Sequence, residues 1–143
     1  SSTWRWYGYE NSWVNIDGNW VQSVSGGGHS GGGLFISTED HARFGLLFLN
    51  QGKLEEKQII SPEWIAEATT PSPANPSYGY LWWLNHPDSS RYVKEAGEDM
   101  FYAAGFGGNF IVILPQHNMV VVTRWLAPKM MPEFIQKIMT AVK

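Results

Sequence analysis

Residues 25–37 read SGGGHSGGGLFIS, and six of these thirteen residues are glycine. Gly28-His29-Ser30-Gly31-Gly32 matches Gly-x-Ser-x-Gly, the pattern that holds a nucleophilic serine on a sharp strand-to-helix turn. Such an elbow needs a hydrophobic strand before it, a helix directly behind it, and an acid and a histidine further on. Here Ser23-Val24-Ser25 is a weak strand end and Gly31-Gly32-Gly33 a poor helix start. The partners in chain order are Asp99 and His117, and His117 falls in a tight connection between two strand-like runs. An α/β-hydrolase-type esterase using Ser30 therefore stands only as an alternative. What remains is a backbone loop whose glycines permit close approach to another surface, and on composition a flexible surface loop and a cleft-lining loop are equally open.

A second glycine cluster, Ala103-Ala104-Gly105-Phe106-Gly107-Gly108-Asn109, leads straight into the apolar run NFIVILP. Glycine at the start of a strand marks a bulge or a close ligand approach. Main-chain N–H groups at such a place can form half of an oxyanion hole. Other chemistries find less support. No Gly-Lys-Ser/Thr follows either glycine cluster, as a phosphate-binding loop requires. His29, His41, His86 and His117 are scattered without ligand spacing, and there is no cysteine, so neither a metal nor any other cofactor is expected.

The elements that must position these residues alternate in type. Trp13, Val14 and Ile16 precede Asp17-Gly18, and Trp20 and Val21 follow it, which predicts a hairpin. STEDHARFGLLFLNQG predicts a largely buried helix, capped by Ser37 or Thr38, with Glu39 and Asp40 in its first turn and Gly52 beyond its end. Ser61-Pro62-Glu63 opens a second helix through Ala68, and the prolines of residues 69–77 keep the next stretch irregular. Strands are expected over Tyr78–Leu84, Asn109–Pro115 and Met119–Leu126, the last two joined by a short antiparallel connection at residues 116–118. Pro132 opens a closing helix with Phe134, Ile135, Ile138 and Met139 along one stripe. The fold class is α+β, an antiparallel sheet with helices packed on it.

The chain has 143 residues, a 43% apolar share and a net charge of −3, which permits a real core and one domain or part of one. Without a basic block it lacks the clustered Lys and Arg that nucleic acid requires, and no apolar run nears the ~20 residues of a membrane helix. The opening SSTWRWYGYENS, with no initiator Met and no charged leader, reads as the interior of a longer chain. Eight Trp, six Tyr and seven Phe must either fill a core or line a cleft. The cluster Trp4, Trp6, Tyr7, Tyr9, Trp13 and Trp20 keeps a second alternative open, a non-catalytic carbohydrate-binding module.

The order GGGLFISTEDHARFGLLFLNQG, IISPEWI, YGYLWWL, AGFGGNFIVILPQHNMVVVTRW resembles the C-terminal part of the serine β-lactamase-like hydrolases. Within them it resembles the class C β-lactamase and esterase group that includes the 6-aminohexanoate-dimer hydrolases. The likeness extends over nearly the whole chain, so residues 1–143 are expected to be one partial domain, the C-terminal part of a larger hydrolase domain. It implies a serine that attacks an ester or amide carbonyl of a small molecule, a lysine three residues after it, a tyrosine in Tyr-x-Asn, and a Lys/His-x-Gly motif on a strand edging the cleft. No serine in this chain has lysine three positions on, so the nucleophile is expected upstream of residue 1. Tyr9-Glu10-Asn11 matches Tyr-x-Asn, although SWVNIDGNW follows it in place of an apolar helix. Ala103-Ala104-Gly105 occupies the place of the third motif, with Ala103 where the basic residue would be, which removes the group that would recognise a substrate carboxylate. The resemblance makes the Phe106 N–H an oxyanion donor, assigns Ala103, Gly105 and Gly107 to substrate binding, and implies that the loop of residues 25–37 lies near the cleft with His29 as a rim contact. A sheet cut from its upstream partners should also pair with the missing part of the protein or with itself.

Overall fold

The structure, a computed structural model, is described over residues 5–6, 13–16, 18–22, 34–86, 91–105 and 107–142. Tyr9, His29, Ser30 and Phe106 lie outside the described residues. The chain divides into two compact units, Ser1–Asp40 and His41–Lys143.

In the first unit, β1 (Arg5–Trp6) pairs antiparallel with β4 (Leu34–Phe35). The predicted hairpin is present: β2 (Trp13–Ile16) pairs with β3 (Asn19–Gln22), with Ile16 opposite Asn19. Gly18 takes φ +85°, as a two-residue hairpin turn demands, and its N–H donates to Asn15 Oδ1 at 2.9 Å.

The second unit is built on a four-stranded antiparallel sheet in the order β10-β9-β8-β7. Its strands are β7 (Trp83–Leu84), β8 (Phe101–Gly105), β9 (Asn109–Leu114) and β10 (Met119–Thr123). A small hairpin of β5 (Lys53–Leu54) and β6 (Lys57–Gln58) stands apart from it. The α-helices among the described residues are α1 (Thr38–Leu49), which starts at the end of the first unit, α2 (Pro62–Ala68) and α3 (Met131–Ala141).

Both faces of the sheet are covered, which explains why β9 is a continuous apolar run and does not alternate with polar residues. Phe110, Val112 and Leu114 point with Tyr102 into one core, closed by Met131 and Ile135 of α3 and by Val93, Ala96 and Met100. Ile111 and Ile113 point with Phe101 into the other, closed by Phe48 of α1 and by Ile65 and Ala68 of α2. Each fully buried side chain of this kind contributes about 1.5–3 kcal/mol. Trp82 anchors the second core, 4.6 Å from Phe48 and 5.1 Å from Phe101 between ring centroids. Much of the aromatic content of the second unit is therefore structural.

Capping follows the sequence. Ser37 Oγ accepts from Asp40 N–H and Ser61 Oγ from Trp64 N–H, each at 3.1 Å, satisfying donors that a helix start leaves open. Buried Asn85 ties the segment before β8 into place. Its Nδ2 donates to the carbonyls of Val93, Ala96 and Gly97, and its Oδ1 accepts from Val93 N–H.

Three expectations are corrected. Helix α1 is not largely buried: Asp40, Gly45 and Phe48 are inside, while Phe44 and Leu46 are exposed. The strand expected over Tyr78–Leu84 shrinks to two residues, because Gly79 N–H bonds back to Trp82 O and Leu81 adopts φ +64°, closing a turn. The strand expected over Met119–Leu126 ends at Thr123, because Trp125 adopts φ +59°. Strand β8, read from the sequence only as a glycine cluster, is a central strand of the sheet.

Candidate functional site

The glycine cluster 103–109 becomes the end of the β8–β9 hairpin, with Gly105 opposite Asn109. Ala103 is half-buried, Ala104, Gly105 and Gly107 are exposed, and Gly108 is buried. Strand β7 covers the outer edge of β8 only at Phe101 and Tyr102. From Ala103 to Gly105 that edge has no partner strand among the described residues. Among the described residues, the main chain of β8 is therefore open-edged from Ala103 to Gly105.

Gly107 and Gly108 are closely constrained by their neighbours. Gly107 and Gly108 both take φ +77°, a region that costs an L side chain about 1–2 kcal/mol. Gly108 N–H donates to Gly105 O at 3.3 Å, and Leu126 N–H donates to Gly108 O at 3.1 Å. A β-carbon on Gly108 would lie 1.8 Å from Leu126 O, and one on Gly107 would lie 2.8 Å from Cζ3 of Trp125. The turn can approach residues 125–126 this closely only with glycine at both positions.

Two strands bring further polar groups to this end of the sheet. Asn109 begins β9, and Thr123, which pairs with Phe110, ends β10 just before Arg124. His41, in the first half of α1, lies within the field of Arg124. Its pKa is lowered, first by burial and then by the Arg124 charge, so the neutral imidazole is favoured. Tyr102, one residue before Ala103, is pushed up to about 12 by burial, with Tyr92 adding to the effect; it is a neutral phenol throughout the physiological range.

The structure therefore brings together Ala103, Gly105 and Gly107 among the site residues expected from sequence. Tyr9, His29 and Phe106 fall outside the described residues. Sequence reasoning missed Trp125, which it placed inside a strand, and the proximity of His41 to Arg124. A lone Trp after a valine run carries no signal of a left-handed backbone, and His41 and Arg124 are 83 positions apart in the chain. Among the described residues, no group of three or more His, Cys, Asp or Glu could hold a metal ion. Among the same residues, no helix is long and apolar enough to cross a membrane.

Comparison with known proteins supplies the context for this geometry. A 31% identical relative, an uncharacterized protein of Alkalihalophilus pseudofirmus, aligns over 116 residues, 74% of this chain and 34% of its own length. Among solved structures, a provisionally named 6-aminohexanoate-dimer hydrolase from Bacillus anthracis superposes with a TM-score of 0.54 at 24% identity, over 77% of this chain and 29% of that one. A provisionally named β-lactamase from Bacteroides dorei DSM 17855 superposes with a TM-score of 0.55 at 14% identity, over 80% of this chain and 42% of that one. Both likenesses are of fold, and the chain spans less than half the length of these relatives. The profile of the Beta-lactamase family matches residues 2–128, most of the chain, and the protein belongs to that family.

Proposed function

We propose that this chain is the C-terminal portion of a serine hydrolase that cleaves an ester or amide of a small molecule through an acyl-enzyme. The serine nucleophile and its lysine come from a segment preceding residue 1. The chain contributes the open edge of β8 and the turn after it. The main-chain N–H of Phe106 is one oxyanion donor and that of the nucleophile the other. Ala103, Gly105 and Gly107 line the substrate, with His29 at the rim, and Tyr9 is a candidate proton carrier. Removing one oxyanion donor raises the barrier by about 3 kcal/mol, so a position with no reactive side chain can still decide the rate.

The observation that supports this most is the turn itself. Two left-handed glycines are wedged against residues 125–126 beside a strand edge that is open among the described residues, in a chain of the Beta-lactamase family. An α/β-hydrolase elbow at Ser30 requires a parallel sheet, whereas the sheet described here is antiparallel. Because Ala103 stands where a basic side chain would meet a carboxylate, the preferred substrate is uncharged near that point.

The reading is tested with p-nitrophenyl esters and nitrocefin on the 143-residue chain and on the longer protein carrying the upstream segment. The chain alone should be inert, and the longer protein should turn over the neutral esters in preference to nitrocefin. Robust turnover by the chain alone, abolished by Ser30→Ala, would overturn the proposal. The carbohydrate-binding alternative keeps one supporting observation, Trp20 at 67% exposure, and a polysaccharide pull-down with no retention counts against it.

A further inference from the structure

Trp125 combines three features that packing alone does not explain. It adopts φ +59°, although a bulky side chain in the left-handed region costs about 1–3 kcal/mol and such strain gathers at functional sites. It is 79% exposed, so the strain is not offset by burying the indole. Its ring lies against the Gly107 backbone, a β-carbon on Gly107 being 2.8 Å from Cζ3 and 3.1 Å from Cε3. A glycine or asparagine at 125 would accept the same backbone conformation with less strain and no exposed ring. The sequence instead spends its largest side chain beside the turn that ends the open edge of β8.

We infer that Trp125 is a specificity-determining residue, an apolar wall beside the glycine turn that contacts a flat aromatic group on the substrate. The inference rests on the hydrolase reading for the identity of that substrate, but the contact itself does not require catalysis. One edge of the indole lies beside Gly107 while the rest faces solvent, which leaves a π-surface open to stacking. Because Leu126 N–H bonds to Gly108 O, the wall and the turn hold a fixed relation. A group stacked on the ring is thereby placed beside the amides of Gly107 and Gly108. The absence of a basic side chain at Ala103 fits an uncharged aryl substrate.

The contact is read by ¹⁹F NMR on the 143-residue chain labelled with 5-fluorotryptophan, with Trp125→Phe used to assign the resonance. Acetophenone, an aryl ketone that cannot be hydrolysed, is the probe, and acetone, which lacks the ring, is the control. The Trp125 resonance should shift saturably with acetophenone and not with acetone, while Trp64 and Trp20, also exposed, stay put. No shift at Trp125, or parallel shifts at all three, overturns the inference.

In the longer protein, Trp125→Ala should lower the kcat/KM ratio of p-nitrophenyl benzoate over p-nitrophenyl acetate by about tenfold, the scale of losing one apolar contact. Trp125→Phe should restore most of the ratio. A residue that only braces the turn would lower both substrates alike, and that result also overturns the inference. A longer protein inert toward every ester, with the NMR shift intact, would sink the hydrolase reading and leave the aryl contact standing.

Discussion

At the scale of residues, the candidate site is made mostly of main chain, so its tests are substitutions that move backbone. Gly108→Ala is the sharpest. The new β-carbon meets Leu126 O at 1.8 Å in a backbone already at φ +77°, and neither atom can swing aside as a flexible side chain would. The expected loss of stability is about 3 kcal/mol or more, read as a lowered midpoint in denaturant titration. An unchanged midpoint would mean that the turn is not wedged against residues 125–126. Tyr102 supplies a pH test. Its folded pKa is raised to about 12 from the ordinary 10.0, because burial disfavours the phenolate. The unfolded chain therefore releases this proton first as pH rises. The stabilising contribution is complete below pH 10.0 and is lost as pH climbs through about 12. Denaturation midpoints should fall across that window, and Tyr102→Phe should flatten the fall; a fall just as steep in the variant would refute the assignment.

At the scale of elements, the critical contact is where α1 crosses the sheet. A β-carbon on Gly45 would lie 2.5 Å from Val120 Cγ1 and 3.0 Å from Ile111 Cγ2, so glycine there lets the helix sit down on β9 and β10. Gly45→Leu should cost about 1–3 kcal/mol by overpacking and lower the melting temperature, while Glu39→Gln in the exposed first turn of the helix changes it little. Equal effects from the two variants would contradict the packing described. The same elements show what the sequence disclosed and what it hid. Hairpin β2–β3, helix α2 with its Ser61 cap and Pro62, and the β9–β10 pairing were readable because their signals are local. Strand β8 was not, because FYAAG is short and rich in small residues and becomes central only through pairing with β9. The run YGYLWWL carries strong strand propensity that tertiary structure overrides, since Tyr80 N–H bonds to Ala68 O and Trp82 is drawn into the aromatic core. Around the candidate site, the glycine turn was visible in composition, whereas the place of Trp125 beside it depended on a backbone conformation that its residue type does not signal.

At the scale of the whole molecule, strand β10 presents an open edge among the described residues, over the uncharged and proline-free sequence MVVVT. An edge of this kind invites another strand. The 143-residue chain is therefore predicted to self-associate, and light scattering should report a mass above the 16.1 kDa of one chain. A clean monomer at high concentration would contradict this. Supplying the upstream segment of the longer protein should reduce the association if that segment occupies the same edge.

The central claim is that the attacking serine lies outside these 143 residues while their main-chain amides stabilise the charge it creates. Labelling with a fluorophosphonate probe, followed by mass-spectrometric mapping of the adduct, tests that claim most directly. The account predicts no adduct on the isolated chain and a single modified serine, preceding residue 1, in the longer protein. An adduct on Ser30, or on any other serine of this chain, would contradict it.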